Sequence, residues 1–326
     1  MQTLQQNVYL WVIFFLLFMT LPVKAVQMFD PALLRSQSPG QVLRFSPPPM
    51  ASMSDLDRAS SHVKASYAVS NLWGHDRGYM IDAQVDDSLC ELTYRFATEL
   101  SLTIGFGQRT FKSSKTDEVI IGFHDLIGSP QGKRLQVEAD QSRMSLPGYN
   151  LDIANASIDS AFSHHIYTAS SFQKQFNGST TQLSIGGIFY QSTSDGLSSA
   201  SSDQGFGIRS RLDQKIQAFN LYSEMALMQH DNHHAVSKHL KPKQLEARLG
   251  LAYHLEKAHD MYLQSLISEA AFDGFGQLAR PSFEVHLGYR YTGRYLALDL
   301  GMIENILYPF NSPDWGVFVG LSAANQ

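Results

Sequence analysis

The sequence predicts an all-β protein: a transmembrane antiparallel β-barrel of 12–14 strands with one short helix in a long loop. Three observations lead there. Apolar residues alternate with a period of two through most of the chain. Short and long connections follow one another between the alternating segments. Beyond the first 25 residues no run is apolar and long enough to cross a bilayer as a helix, which leaves a closed barrel as the one way to span it.

Composition narrows the alternatives. Of 326 residues, 44% are hydrophobic and 17% charged, which is too apolar for a disordered chain. The net charge of −5 offers no basic excess for a nucleic-acid partner. A single cysteine, Cys90, excludes an intramolecular disulfide framework and any zinc site built on several cysteines.

The elements follow in chain order. Residues 8–23, VYLWVIFFLLFMTLPV, form an apolar run that is short, N-terminal and broken by Pro22. With Val23-Lys24-Ala25 behind it, the segment 1–25 reads as a secretory signal peptide cut after Ala25. Its n-region has no Lys or Arg, only the terminal amine. Residues 26–60 read as an extended N-terminal arm, rich in Ser and Pro and ending near Pro47-Pro48-Pro49. Such an arm has two places to go, the lumen or the periplasm, and the reading adopted places it in the periplasm. The barrel is expected over 61–326.

Within that span, Leu245, Ala247, Leu249, Leu251, Tyr253 and Leu255 share one strand face, with Glu246, Arg248 and His254 opposite. Phe283, Val285, Leu287, Tyr289 and Tyr291 do the same against Glu284, His286 and Arg290. Eleven apolar residues in eleven alternate positions arise by chance on the order of 10⁻⁴ of the time for a preset frame. A helix would not produce this pattern, whereas a strand with one lipid and one wet face would. The alternation recurs over 62–73, 100–108, 295–302 and 315–321. Aromatics near strand ends (Trp73, Tyr79, Tyr94, Phe96, Tyr253, Tyr291, Tyr295, Trp315) suit an interfacial girdle. Between Tyr79 and Phe96 the apolar phase flips around Asp86-Asp87. One long strand with a bulge there keeps the rims in step, with Ala97-Thr98-Glu99 as a periplasmic turn. The 145–181 region shows no clear phase, so the count stays at 12 or 14.

The last strand, Asp314-Trp315-Gly316-Val317-Phe318-Val319-Gly320-Leu321, resembles the assembly signal of outer-membrane barrels, although Ser322–Gln326 follow it. The partners this implies are outer-membrane lipid and the barrel-assembly machinery. In the insert 117–134, Ile120, Phe123 and Leu126/Ile127 recur at helical spacing behind Asp117 and Glu118, and Ser129-Pro130 ends the helix. Taken with RSQSPGQVLRFSPPP, NLWGHDRGYMIDAQ, the motif Phe123-His124-Asp125 and NSPDWGVFVGLS, the chain resembles a family of Gram-negative outer-membrane β-barrel proteins described only as a domain of unknown function. The resemblance covers most of the mature chain. It implies an outer-membrane barrel and no particular activity.

Arg95, Arg248, Glu284, His286 and Arg290 oppose the apolar phase and are expected to line the lumen, with His124 and Asp125 near a constriction. Other chemistry is weaker on physical grounds. His230, His233, His234 and His239 match no fixed metal-ligand spacing. Ser163 and His164 point to opposite faces of a strand, and Ser163 and His165 are too far apart along one face to pair as nucleophile and base. Cys90 falls in the lipid-facing phase. No catalytic residue, metal or cofactor is therefore expected. The reading that results is a passive channel for a small or apolar solute. A closed structural or adhesive barrel is the alternative, and a lipid-modifying enzyme ranks third.

Overall fold

In a computed structural model, twelve antiparallel strands close into a barrel. The structure describes residues 23–24, 31–52, 60–76, 78–112, 143–147, 151–153, 161–176, 180–194, 201–232, 239–256, 258–294, 296–305 and 311–325, together with residues 118, 120–122 and 125. The barrel strands, numbered β1–β12, are Ser61–Asp76, Tyr79–Ala97, Leu100–Lys112, Ala161–Gln175, Thr181–Ser194, Ser201–Ile216, Phe219–Asp231, Lys243–Glu256, His259–Ser268, Ser282–Thr292, Ala297–Asn305 and Trp315–Asn325. Each pairs with its neighbours in sequence, and β12 pairs with β1 from Trp315↔Asn71 to Asn325↔Ser61. The last strand thus continues past Leu321, and Ser322 to Asn325 complete the seam. Val23 and Lys24 add a short pairing against Asn325 and Ala324. The rest of the expected leader lies outside the described residues.

The two rims differ. One rim carries the short turns after β2, β6, β8 and β10 together with both ends of the barrel; the other carries the 113–160 insert and the connections after β7, β9 and β11. Short turns belong on the periplasmic side of an outer-membrane barrel and long loops outside. Part of the insert, Arg143–Leu146 and Leu151–Ile153, forms a small hairpin that extends the sheet against Met80–Asp82. Glu118, Ile120, Ile121, Gly122 and Asp125 are helical, which fits the helix expected over 117–128.

The outer face is a band of exposed large apolar side chains: Leu102, Ile104, Ile185, Ile208, Leu227, Leu249, Leu263 and Leu300 are all exposed. Water would not tolerate this much exposed apolar surface, but bilayer hydrocarbon does. Tyr94, Phe96, Phe172, Phe219, Tyr253 and Tyr291 are exposed at the short-turn rim, as an aromatic girdle requires. Trp73 and Tyr79 do not join a girdle: both are buried at the long-loop rim.

Two further expectations are corrected. No register shift occurs at Asp86-Asp87; β2 pairs continuously with β1 there, and its one irregularity against β3 lies between Arg95 and Ala97. The phase flips because the inward face changes chemistry. Tyr79, Ile81, Ala83 and Val85 point into an apolar cluster with Val42, Leu43, Phe111, Met144 and Phe272. Farther along, Asp87, Glu91, Thr93 and Arg95 point into polar surroundings. The arm is the second correction. Residues 31–50 are buried throughout and run inside the barrel, not in the periplasm. A lumen 12 strands wide has room for such an occupant, and interior charges need one or need water.

Candidate functional site

The arm forms a hairpin within the lumen. Near the short-turn rim, Lys64 Nζ donates to the Pro31 carbonyl (3.3 Å), and Ser66 Oγ donates to Leu33 O. Leu33 packs with Leu89, Tyr167 and Tyr190, while Leu34 packs on the opposite side with Tyr222, Tyr262 and Phe318. Neighbouring residues of an extended chain diverge, so each of the two finds its own wall. The chain turns over 38–44, where the Gln41 and Val42 amides both donate to Ser38 O. This apex meets the loop after β9. A Cβ on Gly40 would lie 2.7 Å from Ala271 Cβ and 3.3 Å from the Phe272 ring, so only glycine permits the approach. The chain then descends. Phe45 stacks on Tyr190 at 4.3 Å between ring centroids, with 12° between the planes.

Wall side chains supply what the arm backbone lacks. A proline-rich extended chain has carbonyls without internal partners, and buried carbonyls need donors. Arg109 donates to the carbonyls of Ser36 (2.7 Å), Gln41 (2.7 Å) and Arg44 (2.9 Å). Arg248 donates to Pro47 O (2.6 Å), Arg209 to Pro48 O (3.1 Å) and Arg211 to Met50 O (2.5 Å). Carboxylates take the arm's donors in turn. Glu284 accepts from the Gln37 amide at 3.1 Å and from Ser36 Oγ, Glu246 accepts from Ser46 Oγ (2.6 Å), and Glu224 accepts from the Met50 amide (2.9 Å).

The arm's own charge is absorbed at mid-barrel. Arg35 Nε donates to Asp87 Oδ2 at 3.0 Å, and its Nη2 pairs with the same carboxylate. Asp87 also accepts from Gln37 Nε2 (2.8 Å) and Arg109 Nε (3.3 Å). Arg35 Nη1 lies 2.6 Å from His165 Nε2. All of these side chains are buried, so each charge must be matched locally.

A second set of wall groups pairs from strand to strand. Arg290 makes a bidentate pair with Asp299 on the adjacent strand, both bonds at 2.9 Å. Tyr222 Oη donates to Gln264 Oε1 (2.5 Å), and Gln264 Nε2 lies 3.1 Å from His286 Nδ1. The Tyr222 ring lies across its register partner Gly250, where any Cβ would collide with it.

Most residues named from sequence have a definite place. Arg248, Glu284, His286 and Arg290 are buried on the inward face, and Arg95, also buried, holds the carbonyls of Ala97 and Thr98 at the short-turn rim. Asp125 is exposed on the helix of the insert, and His124 lies outside the described residues. His230 is buried between Tyr190 Oη (2.6 Å) and Gln244 Oε1 (2.7 Å), and His233 and His234 lie outside the described residues. Among the described residues no group of three or more metal-ligating side chains occurs. Cys90 is buried, and its register partner on β1 is Ala65.

Sequence reasoning passed over Arg35, Asp87, Arg109, Arg209, Arg211 and Glu224. Arg209, Arg211 and Asp213 alternate with Ile208, Leu212 and Gln214, a pattern that marks an inward row once 201–216 is treated as a strand. Asp87 was obscured by the phase flip.

Three solved structures superpose on the chain to different degrees. The COG4313 outer membrane channel from Pseudomonas putida F1 superposes with a TM-score of 0.52 at 10% identity, covering 83% of this chain and 97% of that one. The KdgM porin gives 0.41 at 11% identity, over 79% and 97% of the two chains. The P. putida toluene transporter TodX gives 0.39 at 7% identity, over 84% and 91%. Only the first superposes with a TM-score above 0.5, and it shows the fold: a closed outer-membrane-type barrel. No functionally curated protein matches the sequence. A family model described as a protein of unknown function, DUF3187, matches residues 14–324, so the chain belongs to the DUF3187 family.

Proposed function

We propose that the protein is a passive outer-membrane channel for a small solute, shut in this state by its own N-terminal arm. The observation that carries the reading is the arm itself. It is a hairpin held in a closed barrel by hydrogen bonds and packing, and its contacts at either end lie toward the same rim. An occupant of that topology can withdraw without threading through the wall. Arg95, Arg248, Glu284, His286 and Arg290 then become walls of the solute path, and Asp125 lies on the helix of the insert that follows β3. The wall carries both signs of charge, so the arm's departure leaves a polar passage.

The number of hydrogen bonds between arm and wall favours a second reading, a permanently closed structural barrel. A lipid-modifying enzyme has less support, because His165 points inward onto Arg35. The closeness of Gly40 and Ala271 offers a test of the first two. Gly40→Cys with Ala271→Cys, in a Cys90→Ala background, places two thiols where a small backbone shift allows a disulfide. Planar-bilayer recordings would compare the oxidised and reduced protein, with heat-modifiable gel migration as the control for folding. Discrete conductance steps that appear only after reduction are expected. Folded protein silent in both states would overturn the channel reading in favour of the closed barrel.

A further inference from the structure

We propose that Arg209, with Arg211 and Arg248 beside it, forms an anion site in the lumen, and that the channel's solute is a small oxyanion. This deepens the channel reading and rests on it. Arg211 and Arg248 both stand opposite Glu224 across β6, β7 and β8, and Arg209 lies two residues along β6 on the same face. The three are not equally matched. Arg211 has Asp213 at 2.6 Å, and Arg248 has Glu246 at 3.0 Å and Glu224 at 3.4 Å. Arg209 has no carboxylate at ion-pair distance among the described residues; Glu224 and Glu91 act on it only from farther away. The residue is 5% exposed, its Nε has no hydrogen-bond partner, and its bond is to a neutral carbonyl, that of Pro48.

A guanidinium carries five donors in a planar fork. Burying one with a single neutral acceptor leaves the cation poorly compensated. An oxyanion there would replace a carbonyl dipole by a full charge and make shorter, stronger bonds. The arm already outlines the shape of that ligand. Pro47, Pro48 and Met50 present three carbonyl oxygens to Arg248, Arg209 and Arg211, and prolines have no amide hydrogen to compete. In the closed state the arm's oxygens thus stand where the solute's oxygens would bind.

The test uses the full chain as wild type, Arg209→Gln and Arg209→Lys, each checked for folding by heat-modifiable migration. Reversal potentials in a KCl gradient should show anion preference in the wild type, a severalfold loss of it in Arg209→Gln and its retention in Arg209→Lys. Succinate at constant ionic strength should reduce chloride current in the wild type and not in Arg209→Gln. An unchanged reversal potential in Arg209→Gln would overturn the anion site while leaving the channel intact. If no variant conducts, the channel reading fails, and the site is judged by trypsin cleavage at Arg44. Succinate should then speed cleavage severalfold in the wild type and not in Arg209→Gln, because it competes with the Pro47–Met50 carbonyls. Equal rates with and without succinate would overturn the site.

Discussion

Two groups of buried wall charges face the same lumen and are held in different ways. Around Asp87, the wall is completed by the arm: Arg35 and Gln37 are two of that carboxylate's three partners, and Arg109 divides its donors between Asp87 and three arm carbonyls. Around Asp299, the carboxylate meets its cation across the paired strands β10 and β11. The difference lies in what else the wall cation holds. Arg290 and Asp299 are direct partners across antiparallel strands, where side chains are close enough to pair. Asp87 and Arg109 are also register partners, yet Arg109 is one cation reaching toward an arm as well as a neighbour. A wall built only from partners of the second kind would be a rigid tube. The first kind ties the barrel's interior to a removable piece.

The comparison can be broken most sharply at Asp87. Asp87→Asn leaves Arg35 and Arg109 without their shared counter-charge, and breaking a buried pair of this sort costs about 3–5 kcal/mol. The expected outcome is a lower urea midpoint in micelles together with faster trypsin cleavage of the arm. Asp299→Asn strands one cation, for about 3 kcal/mol. It should lower the same midpoint and leave arm cleavage unchanged; a matching rise in arm cleavage would erase the distinction between the two groups.

Smaller effects sharpen it. Leu249→Arg puts a charge in the middle of the lipid-facing band, where the penalty is about 2 kcal/mol. Unfolding measured in bilayers should register that loss without any change at the arm. Gly250→Ala forces a methyl group into the Tyr222 ring, an overpacking of about 1–3 kcal/mol. Tyr222→Leu in the same chain should recover part of the loss if the ring is the cause. Glu99→Gln removes an exposed pair with Lys174 at 3.5 Å and should change the midpoint by less than about 1 kcal/mol.

The barrel was legible because its signal is local. Leu245 to Leu255 and Phe283 to Tyr291 repeat every second residue, and a lipid-facing strand enforces that period residue by residue. The same rule carried Arg248, Glu284, His286 and Arg290 to the inward face by parity alone. Where the interior itself turns apolar, parity misleads: Tyr79, Ile81, Ala83 and Val85 point inward onto the arm and outer loops, and only the packed structure distinguishes that from a bulge.

What the sequence determined by itself was the class of the fold and the inward and outward faces of most strands. Both follow from side-chain period, a property a residue carries with it. The tertiary structure decided the count of twelve strands, the place of the arm inside the barrel and the partners of Arg35, Asp87 and Arg209. Those depend on contacts between residues far apart in the chain, such as Arg35 with Asp87 and Pro48 with Arg209, and no local pattern encodes which distant group will meet a buried charge.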